Sequence, residues 1–227
     1  MNYRSAIQHC RVLLSGDRQA WKHLPYQLRI KMRGIDLRWT TLEESDLSAE
    51  RSYRYSDSGG PDLEELLDTL KISPSDAVLD LGCGKGGALI TLAKYPFAKV
   101  DGVEISPKLA DIASANMTKL QISNSAIYCS DAADFTNLDS YSHFYMYNPF
   151  PQAVTQRVLQ NIQSSVRRRA RRGTLIYKNA VFHNLVLDAG FRKVSGTQII
   201  HPDYPPFSVY AADSWVRTAA QDRYVSG

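Results

Sequence analysis

At 227 residues, 44% of them hydrophobic and 22% charged, the chain has the makeup of a folded globular protein, which excludes a disordered or fibrous one. A chain of this size removes roughly 70% of its unfolded surface from water, so a core forms without covalent staples. Its three cysteines, Cys10, Cys83 and Cys129, are too few and too widely spaced for a disulfide framework or a zinc knuckle. The 27 basic and 23 acidic residues leave a net charge of +4, which permits nucleic acid without demanding it. Met1-Asn2-Tyr3-Arg4 opens a segment without the apolar run of a signal peptide, and no stretch reaches the length of a membrane span. A reducing cytoplasm is therefore the expected location, and no membrane partner is expected.

From residue 4 to 37 the apolar residues Ile7, Val12, Leu13, Leu14, Trp21, Leu24, Leu28 and Met32 recur at helical intervals, broken at Ser15-Gly16-Asp17. Two short helices are expected there, followed by a polar, turn-rich stretch to Gly60. Pro61 suits the first position of a helix that aligns Leu63, Leu66, Leu67 and Leu70. Short apolar runs then alternate with helical periods, the pattern of repeated βα units on a parallel sheet. Strands are expected at 77–81, 99–105, 126–129, 143–147 and 174–177, with a long helix over 152–169 and a closing antiparallel pair at 191–200 and 207–211. The fold class is α/β: a Rossmann-like, seven-stranded, mostly parallel sheet with a terminal antiparallel hairpin. Residues 1–60 are expected to form a helical extension and covering loop, and residues 61–227 the main domain.

Asp80-Leu81-Gly82-Cys83-Gly84-Lys85-Gly86-Gly87 lies between a strand and a helix. Its glycines let the backbone turn tightly and approach a ligand, and the helix amides beyond can face a polar group. Glu104 ends the next strand, where a carboxylate can accept two hydrogen bonds from a ribose diol. These residues resemble the first motif, acid-x-Gly-x-Gly-x-Gly, of the class I S-adenosylmethionine-dependent methyltransferases; the third glycine comes one residue too soon for a dinucleotide site. The resemblance implies S-adenosylmethionine as cofactor. It implies Asp80 at the methionine amino group, Gly82, Cys83, Gly84 and Gly86 under the donor, Glu104 at the ribose, Asp131 and Ala132 at the adenine, and Ile105 among the donor-binding residues.

Tyr145-Met146-Tyr147-Asn148-Pro149-Phe150-Pro151 ends the fourth strand, where ligands sit in open α/β sheets. It is similar to the Asn-Pro-Pro-Tyr/Phe motif of amino-directed N-methyltransferases, with one proline missing and Phe150 a residue early. That similarity implies catalytic roles for Asn148, Tyr147 and Phe150, with Asn148 also touching the donor. A shorter Asn-Phe version, together with the upstream loop around Tyr53 and Tyr55, resembles the non-SET histone lysine methyltransferases and adds Tyr55 and Ser58 to the donor-binding set. The activity implied is N-methylation of an amine-bearing small molecule or protein side chain. The rivals are an O-methyltransferase, which needs a base that no residue obviously supplies, and a donor-binding protein without catalysis. The histidines lack ligand spacing and strand four lacks paired acids, so no catalytic metal is expected. The cluster Arg167, Arg168, Arg169, Arg171 and Arg172 reads as the basic end of a long helix, with phosphate binding as the alternative.

Overall fold

A computed structural model describes residues 18–41, 43–45, 56–197 and 205–213. In chain order the elements are α1 (Arg18–Met32), a 3-10 turn (Glu43–Ser45), α2 (Pro61–Asp68), β1 (Ala77–Leu81), α3 (Gly87–Leu92), β2 (Lys99–Glu104), α4 (Pro107–Lys119), β3 (Ile127–Cys129), β4 (His143–Tyr147), α5 (Gln152–Arg168), β5 (Arg172–Lys178), α6 (His183–Asp188), β6 (Arg192–Gly196) and β7 (Phe207–Asp213). The first of the two helices expected near the N-terminus falls outside the described residues; the second is α1, which carries Pro25 within it.

The strands form one seven-stranded sheet in the order β3-β2-β1-β4-β5-β7-β6. The first five run parallel to their neighbours, and β7 enters antiparallel between β5 and β6. Every residue of β1 is buried, as a strand covered on both faces requires. One face packs Leu79, Phe144, Met146 and Leu175 against Val158, Leu159, Ile162 and Val166 of α5. The other packs Val78, Tyr145 and Ile176 against Leu63, Leu66 and Leu67 of α2 and Leu89 and Leu92 of α3. Fully burying such a side chain contributes about 1.5 to 3 kcal/mol, so these two layers dominate the stability.

Local chemistry sets the ends of the elements. Ser106 accepts the Leu109 amide at 3.3 Å and Pro107 occupies the first turn of α4. Strand β5 is longer than expected and reaches Lys178, because both of its edges are paired: Tyr147 stands beside Lys178 on one side and Phe207 on the other. Two arginines of the cluster are engaged locally. Arg168 Nε and Nη2 grip Asp139 at 3.0 and 2.6 Å, and Arg171 donates to the carbonyls of Leu138, Tyr141 and Ser165 at 2.9, 2.9 and 2.7 Å. These cations fasten the end of α5 to the turn before β4. Among the described residues no helix is long and apolar enough to cross a membrane.

Candidate active site

The strand order reverses between β1 and β4, and the crevice beyond their carboxyl ends is where open α/β sheets bind ligands. The glycine turn stands at its floor. Gly82 has φ +82°, and a Cβ there would sit 2.6 Å from Cβ of Pro149, so only glycine fits between β1 and the segment after β4. The amides of Gly82 and Cys83 donate to the Val103 carbonyl at 2.9 and 3.0 Å, which ties the turn to β2. A cleft opens beside it, lined by Gly82, Val103, Glu104, Ile105, Ser130, Asp131, Ala132 and Phe150.

Glu104 is buried with both oxygens engaged: Oε2 accepts the Gly84 amide and Oε1 the Ser106 amide, each at 2.9 Å. Burial pushes its carboxyl up, and the amides of Ser106, Gly84 and Ile105 work against that. Asp80, only 3% exposed, accepts no hydrogen bond among the described residues. Burial, then the neighbouring charge of Glu104, raises its carboxyl well above the usual range. Asp131 Oδ1 accepts the Ala133 amide at 2.8 Å, which shapes the turn after β3 at the cleft edge. Cys83 points away: its sulfur fills the space over Gly102, where a Cβ would meet it at 2.6 Å, and burial followed by Asp80 and Glu104 pushes its thiol well up. Cys83 therefore contributes backbone to the turn and no nucleophile. Lys85 is buried and turns away from the cleft, its Nζ donating to the Arg38 carbonyl at 2.9 Å and pairing with Asp36 at 3.3 Å.

The segment after β4 bends at Asn148, which adopts φ +38°, a conformation Asn tolerates better than most residues. Its Oδ1 accepts the Tyr177 hydroxyl at 3.2 Å. Phe150 is buried and stands with Gly82 and Ala132 at this cleft rather than beside Tyr147. Ser58 lies in the segment that crosses over β4, and its carbonyl accepts the Tyr145 hydroxyl at 3.4 Å. Tyr55 lies outside the described residues. The site also gathers residues that sequence reasoning missed. Asp57, half-buried, accepts the Gly59 amide at 2.9 Å and the Tyr26 hydroxyl at 3.2 Å, and Lys178 stands against Tyr147 at the end of β5. The available signal was a lysine directly following the apolar run Thr174-Leu175-Ile176-Tyr177. No group of three or more His, Cys, Asp or Glu residues placed to hold a metal occurs among the described residues.

Residues 78–173 match a family model described as a methyltransferase domain. The chain is 30% identical over 125 residues to a probable cobalt-precorrin-6B C(15)-methyltransferase (decarboxylating) of Methanococcus vannielii, covering 54% of this chain and 60% of that one. It is 41% identical over 66 residues to the release factor glutamine methyltransferase of Koribacter versatilis, covering 27% of this chain and 24% of that one. It thus spans at most about 60% of the length of these curated relatives. The fold is shared with a SAM-dependent methyltransferase of Aquifex aeolicus, at a TM-score of 0.52 and 17% identity over 66% of this chain and 89% of that one. The glycine turn, the acid ending β2, the strand order and the matched domain agree: residues 78–173 carry a methyltransferase domain, and the architecture is the Rossmann-like one of S-adenosylmethionine-dependent methyltransferases.

Proposed function

We propose that this protein transfers the methyl group of S-adenosylmethionine to a small organic acceptor held over the ends of β4 and β5. The observation that carries the reading is Asp80, a buried carboxylate without a hydrogen-bond donor among the described residues, beside a turn that only glycine can make. Such a group costs free energy unless a cation or donor satisfies it, and the ammonium of the methyl donor fits. When bound, the donor supplies an electrophilic methyl on a sulfonium. The chain's residues hold and orient it: Asp80 takes the ammonium, and Glu104 offers the ribose hydroxyls the lone pairs its two amides leave unused. Asp131 accepts from the adenine amino group, with Ile105, Ala132 and Phe150 flanking the ring.

An amine acceptor, expected from the Asn-Pro-Phe segment, is supported by Asn148, whose Oδ1 receives Tyr177 and keeps a second lone pair for an N–H. The methanococcal relative is by its name a small-molecule enzyme and the Koribacter one a protein-directed enzyme. A hydroxyl acceptor is favoured by a separate observation, Lys178. Titration calorimetry with S-adenosylmethionine, its demethylated product and NAD tests the donor assignment: the first two should bind at one site and NAD should not. Heat from NAD with none from the methyl donor would overturn it.

A further inference from the structure

Asp80, Tyr145, Ile176 and Val209 form one row across β1, β4, β5 and β7. Side chains alternate along a strand, so the next row on this face, nearer the crevice, is Tyr147, Lys178 and Phe207, again in register. With strands about 4.8 Å apart, Lys178 stands about 10 Å across the sheet from the end of β1, on the side away from the donor cleft.

Lys178 is 6% exposed. Its Nζ lies 4.9 Å from the ring centroid of Tyr147 and 5.2 Å from that of Phe207, and no hydrogen bond or ion pair reaches it among the described residues. The charged and titratable groups that face it are Tyr147 of β4, Asp57 of the crossing segment and Asp62 of α2. Asp57 is held by the Gly59 amide and Tyr26, and Asp62 by Lys22 and His23 at 2.8 and 3.0 Å, so neither is spent on the lysine. Burial pushes the Lys178 ammonium down, against the fields of Asp62 and Asp57. Tyr147 is no rival as a base, since burial pushes its phenol up.

We propose that Lys178 is the proton acceptor of methyl transfer and that the group methylated is a hydroxyl of the phenol or enol class. The assignment rests on the donor lying at Asp80 and Glu104. An oxygen lone pair forms the new C–O bond as the C–S bond breaks, and the electron pair of that bond stays on sulfur. The O–H proton passes to Nζ, leaving an ether, a neutral thioether and the Lys178 ammonium. The surroundings suit a base better than a clamp for an anionic acceptor. Asp57 and Asp62 already supply negative field, which would repel an anion. The same carboxylates and the two ring faces favour the ammonium only once the proton has moved, which lowers the barrier rather than the ground state.

The test uses the whole chain saturated with labelled S-adenosylmethionine and a probe panel of phenols with the matching aryl and alkyl amines. Competitive acetylation across pH, read by mass spectrometry, reports the titration of each lysine in parallel. Lys178 should titrate below the exposed lysines of the same digest, and label should pass to phenols. Lys178→Met and Lys178→Arg should both lower kcat by about a hundredfold or more and lose the pH dependence of the parent, with donor affinity unchanged by calorimetry. Rescue by Lys178→Arg would show a charge role and overturn the assignment. So would a Lys178 midpoint equal to that of the exposed lysines, methylation of amines alone, or no labelled phenol. Loss of donor binding in the parent chain would instead strike the reading on which the assignment rests.

Discussion

The two halves of the crevice are built differently. On the β1–β2–β3 side, the residues proposed to meet the donor lie in short stretches, 80–86, 104–106 and 130–132, and much of the shaping is done by backbone: the amides of Gly84 and Ser106 hold Glu104 in place. On the β4–β5–β7 side, Tyr147, Lys178 and Phe207 come from three strands and meet only through sheet register. The first half is local and therefore readable as a motif. The second half is a product of pairing, and its chemistry depends on what stands opposite what.

The largest expected effect separates two acids within the donor half. Glu104→Ala removes an acceptor for two backbone amides and for the donor, so it should lower donor affinity by about 1.5 to 3 kcal/mol and also lower the melting temperature. Asp80→Asn should cost a similar amount of donor affinity, since it deletes the charge that meets the ammonium. Its stability should move the other way, because an uncompensated buried carboxylate is replaced by a neutral amide. Thermal unfolding with and without donor measures both. If Asp80→Asn melts below the parent, Asp80 has a structural partner and is not held open for a ligand.

How far the sequence spoke follows the same division. The strands, the helix caps at Pro61, Ser106 and Pro107, the glycine turn and the acid after β2 are each set by contiguous residues, and they appear where periodicity and turn chemistry put them. The end of β5 was harder. Reading the apolar run alone stops at Tyr177, while the strand runs on to Lys178 because β4 and β7 both pair with it. That single residue of extension hid a buried lysine, and with it the candidate base that the hydroxyl reading had lacked. The arginine cluster is the opposite case: conspicuous in the sequence and read there as the basic end of a long helix, it supplies the last turn of α5, and Arg168 and Arg171 are taken up by Asp139 and nearby carbonyls.

A smaller effect sharpens the boundary between the halves, at Asn148. Asn148→Ala places an alanine at φ +38°, which costs about 1 kcal/mol of strain, and removes the partner of the Tyr177 hydroxyl. Asn148→Gly removes the same oxygen without the strain. If the side chain orients the acceptor, both variants should lose turnover on the same probe while binding the donor like the parent, and Asn148→Ala should melt below Asn148→Gly. Equal turnover in parent and Asn148→Gly would reduce Asn148 to a turn residue.

The finest distinction is in protons. Burial raises the carboxyls of both Asp80 and Glu104, and Asp80 carries the further push of its neighbour's charge. A group with a raised pKa in the free protein binds more protons than in water between the ordinary carboxylate range, about 4, and its raised value. Within that window the pair therefore carries extra proton occupancy until a cation arrives. The ammonium favours the ionised forms and lowers both pKa values, so donor binding should release protons and strengthen as pH rises through the window, levelling off above it. Calorimetry in two buffers of different ionisation enthalpy reads the release directly. The demethylated product keeps the ammonium and loses the sulfonium charge, so it should release fewer protons than the donor. In Asp80→Asn the release should shrink to what Glu104 alone supplies, whereas Lys178→Met, on the other half of the crevice, should leave it unchanged. Absence of proton release on donor binding would mean that the acids are already ionised in the free protein, and that the positive charge they await is supplied by the chain itself.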